Sequence, residues 1–338
     1  MSTHPAADIV TPKLPFSLVW EAHACLPLLP GQDMSPLERY RDAGFHHVSV
    51  NVGMDMTPTV QVLRVIAGFR NWIRQNSDRF LLARSLDDID AAAQSGRLAI
   101  TFDLEGSDML ERDPAMVSLY AELGVRQMLL AYNRDNACAG GVHGAGTGLT
   151  DLGRAVIGEM NRCGIIADCA HASKRASLDI IEASRKPAVF SHANVKALFD
   201  HPRNIDDEQI RACAAAGGVI GITGLDVFLG DPELSTDAYI RQIQYVADLV
   251  GPGHVGIGLD MVLVPGHSDL PDGDDEERWW PSQYYGGITS LRCIPPERIG
   301  DILGALGRAG FSPADVEGIA GRNFRRIAEA SWLPASRC

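Results

Sequence analysis

Apolar residues recur along the chain in eight short, nearly continuous runs, and between them polar positions return with helical spacing. The runs are LVWEAHAC (18–25), HHVSVNV (46–52), RLAITFDLEG (97–106), VRQMLLAY (125–132), GIIADCAH (164–171), PAVFSHA (187–193), GGVIGITG (217–224) and HVGIGLDM (254–261). Runs with so little alternation read as parallel strands covered on both faces. The intervening segments include TPTVQVLRVIAGFRNWIRQNS after the second run and DPAMVSLYAELG after the third, where Asp113 is expected as N-cap with Pro114 at the first helical position. DLGRAVIGEMNRCG is expected to be closed by Gly164. Further helical patterns follow the fifth, sixth and seventh runs, and two more, near 296–309 and 312–330, follow the eighth. Eight strand-then-helix units predict an α/β fold, a single-domain (β/α)8 TIM barrel over 15–334 with a flexible tail at 1–14. A doubly wound sheet is disfavoured because no GxGxxG joins a strand to a helix. The loop-like stretches are 132–150, rich in glycine, and a long insertion at 262–296. The insertion is polar with clustered aromatics and reads as a lid, an oligomer contact or a solvated excursion.

Active sites of such barrels form at the C-terminal ends of the strands. Here those ends carry chemistry: His23 and Cys25 on the first run, Glu105 on the third, Tyr132 on the fourth, His171 on the fifth, His192 on the sixth and Asp260 on the eighth. Alternation puts i and i+2 on one strand face, so His23 and Cys25 point together into the mouth. The same rule puts Gly256, Gly258 and Asp260 on one face, with the glycines leaving space below the aspartate. Any one of these residues alone is ordinary; gathered at one end they predict a metal site. Imidazole, carboxylate and thiolate donors suit zinc. His46, His47 and His254 open strands, His201 and His267 lie in loops and His4 lies in the tail, so none is expected as a ligand. His143 can contact substrate from the glycine-rich loop.

Composition narrows the partners. The chain has 338 residues, 46% of them hydrophobic, and a formal net charge of −13. Its lysines and arginines are scattered, which argues against nucleic acid. No apolar stretch approaches the ~18 residues of a membrane helix. The N-terminus lacks the basic-then-apolar pattern of a signal peptide, and WLPASRC is no prenylation signal. Seven cysteines without a CxxC argue against a disulfide framework and for a cytoplasmic protein.

In their order the motifs resemble the renal (membrane) dipeptidase family of zinc metallopeptidases, over about Leu18 to Ala328. EAHAC stands where the family has Asp-Gly-His-x-Asp. DLEG carries Glu105 and Gly106, DCAH carries His171, and FSH carries His192. HPRNIDD carries Arg203 and Asn204, VGIGLDMVL carries Asp260, and GRNFRR closes the set. The resemblance implies a zinc-dependent dipeptidase, in which metal-activated water cleaves a small dipeptide with a free carboxylate. It implies one or two zinc ions, with His23 and Cys25 on one, His171 and His192 on the other, and Glu105 bridging. Asp260 is then the proton carrier, Arg203 with Asn204 binds the substrate's carboxylate end, and a homodimer is expected.

Two departures stand out. Cys25 replaces an aspartate ligand, and Glu21 replaces the aspartate two before His23. Cys25 can be a thiolate ligand, an uncoordinated residue beside a weak or empty site, a buried inert thiol, or a nucleophile with His23 as base. Tyr132 stands near a family histidine that contacts the substrate carbonyl, and its hydroxyl can donate to a developing oxyanion. These departures leave open a hydrolase of another C–N bond, such as an N-acyl amino acid, or a non-catalytic binding homologue.

Overall fold

The computed structural model describes residues 16–333; the expected tail at 1–14 and Cys338 lie outside the described residues. All eight apolar runs contain strands. In chain order they are β1 (Trp20–Cys25), β2 (His47–Met54), β3 (Phe80–Leu82), β4 (Leu98–Glu105), β5 (Val125–Leu129), β6 (Ile166–Asp168), β7 (Phe190–Ala193), β8 (Ile220–Ile222), β9 (Val255–Ile257) and β10 (Met261–Val262). Every ladder between them is parallel. Two sheets run β10-β1-β2-β4-β5-β6 and β7-β8-β9. A parallel bridge between Asp168 and Val189 joins them. The eighth run pairs with β8 through Val255–Ile257 and then with β1 through Met261 and Val262. The ladder therefore passes round all eight runs, which is the (β/α)8 barrel. β3, pairing only with β4, is an addition the patterning did not predict.

The helices fall where polar and apolar positions alternate with helical period. Thr59–Gln75 buries Val62, Val65, Ile66, Phe69 and Ile73 along one face. Asp151–Cys163 starts at a Thr150 cap and ends at Gly164, whose φ of 77° lies where only glycine is at ease. Asp207–Ala215 begins with a reciprocal capping box between Asp206 and Gln209. The segment after the third run differs from expectation. Its helix is Met116–Leu123, capped by Ala115, and Asp113 instead accepts from the amide of Ala115 ahead of the first turn.

The barrel interior is not wholly apolar. Ser49 donates to Asp103 (2.6 Å) and Gln127 to Asp168 (3.1 Å), so buried carboxylates under the mouth are held by strand neighbours. Below them Trp20, His47 and Trp332 pack together.

Two expectations about strand ends need correction. β6 stops at Asp168 and β5 at Leu129, so His171 and Tyr132 sit in the loops beyond rather than on strands. His171 has φ of 62°. Nor do Gly256 and Gly258 leave space beneath Asp260. A Cβ on Gly256 would fall 2.4 Å from the Phe324 ring, and one on Gly258 1.9 Å from the carbonyl oxygen of Ser191. The glycines are needed because neighbours already press on the backbone there. Asp260, between β9 and β10, has φ of 57°, so strand alternation does not aim it.

Candidate metal centre

One oxygen organises the mouth. Glu105 Oε1, at the end of β4, lies 3.4 Å from His23 Nε2, 3.3 Å from His171 Nε2 and 3.7 Å from His192 Nε2. His171 and His192 bring their Nε2 atoms within 2.9 Å of each other. Cys25 Sγ is 3.3 Å from His23 Nε2, and Asp260 Oδ1 is 3.6 Å from the same nitrogen. Three groups result, each with its donor atoms within 4.8 Å of one another: Glu105 with His171 and His192; His23 with Cys25 and Glu105; and His23 with His192 and Asp260.

The outer nitrogen of each imidazole is also engaged. His23 Nδ1 meets Asp103 Oδ1 (3.1 Å), His171 Nδ1 meets Asn133 Oδ1 (2.7 Å), and His192 Nδ1 meets Ser191 Oγ (2.8 Å). Each of these partners can accept a hydrogen bond from Nδ1, and a neutral ring protonated there presents its Nε2 lone pair to the centre, the usual arrangement around a ligating imidazole. Asn51 Nδ2 donates to the other oxygen of Glu105. Patterning missed Asp103, Asn133, Ser191 and Asn51. Asp103 carries a signal, since it shares a strand face with Glu105 two residues on.

Electrostatically the cluster lacks a cation. Burial pushes the Glu105 carboxyl up to about 8 and that of Asp260 up to about 6, only partly opposed by His23. Burial, helped by the positive Arg203, holds His171 well below the imidazole range, and burial with His23 does the same to His192. Burial also opposes charge on His23, yet the carboxylates of Asp103 and Glu105 outweigh it and hold that ring well above its usual value. Burial raises the Cys25 thiol. A dication would favour ionised carboxylate and thiolate together with neutral imidazole. The donor set therefore fits a metal.

Around the cluster lies a cavity lined by Cys25, Glu105, Tyr132, His171 and Asp260 at its floor and by Phe228, Trp280 and Leu291 on its walls. Tyr132 stacks on His171 at 4.2 Å, and its hydroxyl accepts from Trp280 Nε1 (3.0 Å). The insertion forms the roof. Trp279, Trp280 and Tyr285 are buried, Asn133 Nδ2 donates to the Trp279 carbonyl, and His143 Nε2 meets the Tyr285 hydroxyl at 3.0 Å. His267, paired with Asp269, lines the rim. Glu21 is buried beneath; its Oε1 accepts from the amides of His23 and Leu259.

Arg203 borders an adjoining recess that shares His171 with the cavity. Its guanidinium lies 5.3 Å over the Phe228 ring, and its buried Nε has no hydrogen-bond partner. Asn204 lines the same recess and donates to the carbonyls of Phe199 and Phe228, while its Oδ1 is unpartnered.

The family described as Membrane dipeptidase (Peptidase family M19) matches residues 38–274. The dipeptidase tcpJ of Claviceps purpurea is 28% identical over 256 residues, covering 74% of this chain and 55% of that protein. The chain likewise spans 49% of the dipeptidase verJ of Clonostachys rogersoniana, so it matches about half the length of each. Among solved structures, an amidohydrolase from Pseudomonas aeruginosa superposes with a TM-score of 0.81 at 24% identity, covering 93% of this chain and 96% of that one. A metallo peptidase from Rhodobacter sphaeroides, liganded with a phosphinate mimic of the dipeptide L-Ala-D-Ala, superposes with 0.74 at 17% identity, covering 94% and 100%. These likenesses establish the fold. Among the described residues no helix is long and apolar enough to cross a membrane.

Proposed function

This chain belongs to the membrane dipeptidase family, and on that footing we propose that it is a zinc-dependent dipeptidase acting on a small dipeptide with a free carboxylate. The observation that carries the reading is the convergence of three imidazole Nε2 atoms on Glu105 Oε1. We assign His23, Cys25 and Glu105 to one metal position and Glu105, His171 and His192 to a second. When bound, zinc supplies a Lewis acid that polarises the scissile carbonyl and makes water nucleophilic near neutral pH.

The chain's own groups do the rest. Asp260, buried and with its carboxyl pushed up to about 6, takes a proton from the attacking water and returns it to the leaving amine. Tyr132, whose hydroxyl oxygen already accepts from Trp280, has its own proton left to donate to the developing oxyanion. Arg203, with an unpartnered buried Nε beside the cluster, pairs with the substrate carboxylate, and Asn204 supports that recess. Trp279, Trp280 and Tyr285 of the insertion close the site to bulk water.

The same reading includes one barrel domain over 15–334, a homodimer and a cytoplasmic location. The exposed Leu198, Phe199 and Tyr284, linked through His201, support an apolar dimer contact near the mouth. The odd cysteine count without CxxC supports the compartment.

A second reading, hydrolysis of an N-acyl amino acid, draws on the cavity walls. Of the lining carboxylates Glu105 is engaged on both oxygens, Asp269 accepts from Leu28 and pairs with His267, and Asp260 is the one assigned to proton transfer, which leaves little for a substrate ammonium. Metal analysis of the purified protein, followed by assay of the zinc-loaded form on dipeptides and N-acyl amino acids, tests both. Release of amino acids from dipeptides supports the first; cleavage of acyl compounds alone supports the second. Absence of bound zinc with no hydrolysis of either refutes both, and leaves a binding-only homologue.

A further inference from the structure

A second concave site lies at the other end of the barrel. It is lined by Arg70, Arg74, Arg84 and Arg97, with the half-buried Leu81 and Leu82 on its apolar floor, and no acidic residue lines it. The floor is β3, whose residues pair with Leu98 to Ile100 at the start of β4. Glu105 ends that strand seven residues later, so at ~3.3 Å per residue the groove sits about 23 Å from the metal centre.

The arginines reach it from three segments: the end of the helix Thr59–Gln75, the turn after β3 and the turn before β4. The side-chain hydrogen bonds of three of them go to uncharged acceptors. Arg70 donates to the Leu123 carbonyl (2.7 Å), Arg74 to Asn71 Oδ1 (2.8 Å) and Arg97 to Ser95 Oγ (2.8 Å). None of the four forms an ion pair with a described residue, whereas other arginines of this acidic chain, Arg39, Arg175 and Arg325 among them, do. Burial, and then the charge of Arg84, holds the Arg70 guanidinium below its usual value. Surface charge in a chain of net −13 does not by itself leave four guanidiniums facing one hollow.

We propose that this groove binds a small ligand carrying an oligophosphate group, with the guanidiniums on the phosphates and the body of the ligand on Leu81 and Leu82. Guanidinium forks match phosphate oxygens two at a time, which suits a chain of phosphates better than a single carboxylate. The site is separate from the metal centre and does not depend on the hydrolytic reading.

The test is calorimetric titration of the full-length protein with inorganic tripolyphosphate and with adenosine triphosphate, at fixed moderate salt and without free divalent metal. Arg74 and Arg84 are exposed, so Arg74→Glu/Arg84→Glu should fold normally, and Arg74→Gln/Arg84→Gln serves as a milder pair. The expected result is saturable one-to-one binding that weakens about tenfold or more in both pairs. Arg154→Glu, an exposed arginine on another helix, should leave it within about twofold. Tighter binding of the nucleotide than of tripolyphosphate would show that the apolar floor takes part; equal binding would assign the site to phosphate alone. The proposal is overturned if the wild-type protein binds neither probe at millimolar concentration, or if Arg154→Glu weakens binding as much as the paired variants do.

Discussion

Replacing Asp103 by asparagine should weaken zinc at the His23 position without disturbing the fold. Asp103 Oδ1 lies 3.1 Å from His23 Nδ1, and both side chains are fully buried. Asparagine has the same shape, and its carbonyl can still accept from Nδ1. Its amide then faces Ser49 Oγ, which now donates to Asp103 Oδ2 and can equally accept. Only the charge is lost. A full charge at 3.1 Å and an effective dielectric constant of about 20 interacts by about 5 kcal/mol, which is a ceiling, because the ligating ring carries only part of a charge. Outer partners of ligating histidines are typically worth about 10–100-fold in metal affinity, or about 1.4–2.7 kcal/mol, comfortably below that ceiling. The assay is competition for zinc against a chromogenic chelator, resolving successive equivalents, with thermal melts of the chelator-treated proteins as control. One equivalent should weaken at least about tenfold. Wild-type affinity for every equivalent would refute the idea that Asp103 tunes His23 as a ligand; a large loss of stability in the metal-free variant would show that it acts on the fold instead.

Asp260→Asn should lower kcat by about 10²–10⁴-fold while leaving zinc content unchanged, measured by steady-state kinetics beside metal analysis; loss of zinc would make Asp260 a ligand instead. Tyr132→Phe should lower kcat by about 10²-fold with little change in zinc binding, and an unchanged kcat would remove it from the mechanism. Gly258→Ala places a methyl 1.9 Å from the Ser191 carbonyl, next to His192, and should cost about 1–3 kcal/mol in urea unfolding. The buried His47 is held neutral by burial, its value lowered from 6.5 to about 3. Below pH 6.5 the unfolded chain protonates at this position and the folded one does not, so stability is lost as pH falls from about 6.5 towards 3, by up to about 1.4 kcal/mol per unit. His47→Gln should remove about 2 kcal/mol of the stability difference between pH 7 and pH 5, and an unchanged difference would mean that other groups set the acid limb.

How the chain organises itself was largely legible in one dimension. Parallel strands buried on both faces leave continuous apolar runs, and each strand's neighbour in the barrel is the next run along the chain, so counting runs nearly recovers the architecture. β3 escaped because three residues of a strand paired on one side carry too little apolar pattern to stand out. The candidate donor residues were legible for a related reason: each lies at or just beyond a run's end, where a barrel puts its mouth. What linear reading lacks is aim. Asp103 meets His23 across 80 positions and Asn133 meets His171 across 38, and no local pattern encodes either pairing. Strand alternation ceases to apply once His171 and Asp260 enter the left-handed region, so only the packed backbone sets their direction. The roof is the clearest case. Trp280 reaches Tyr132 across 148 residues of sequence, through an insertion that reads as polar excursion until the barrel exists for its aromatics to bury against. Residue type and strand order are written locally because they follow from burial and period. The direction of each donor atom is decided by contacts between segments far apart in the chain, and those exist only once the barrel has closed.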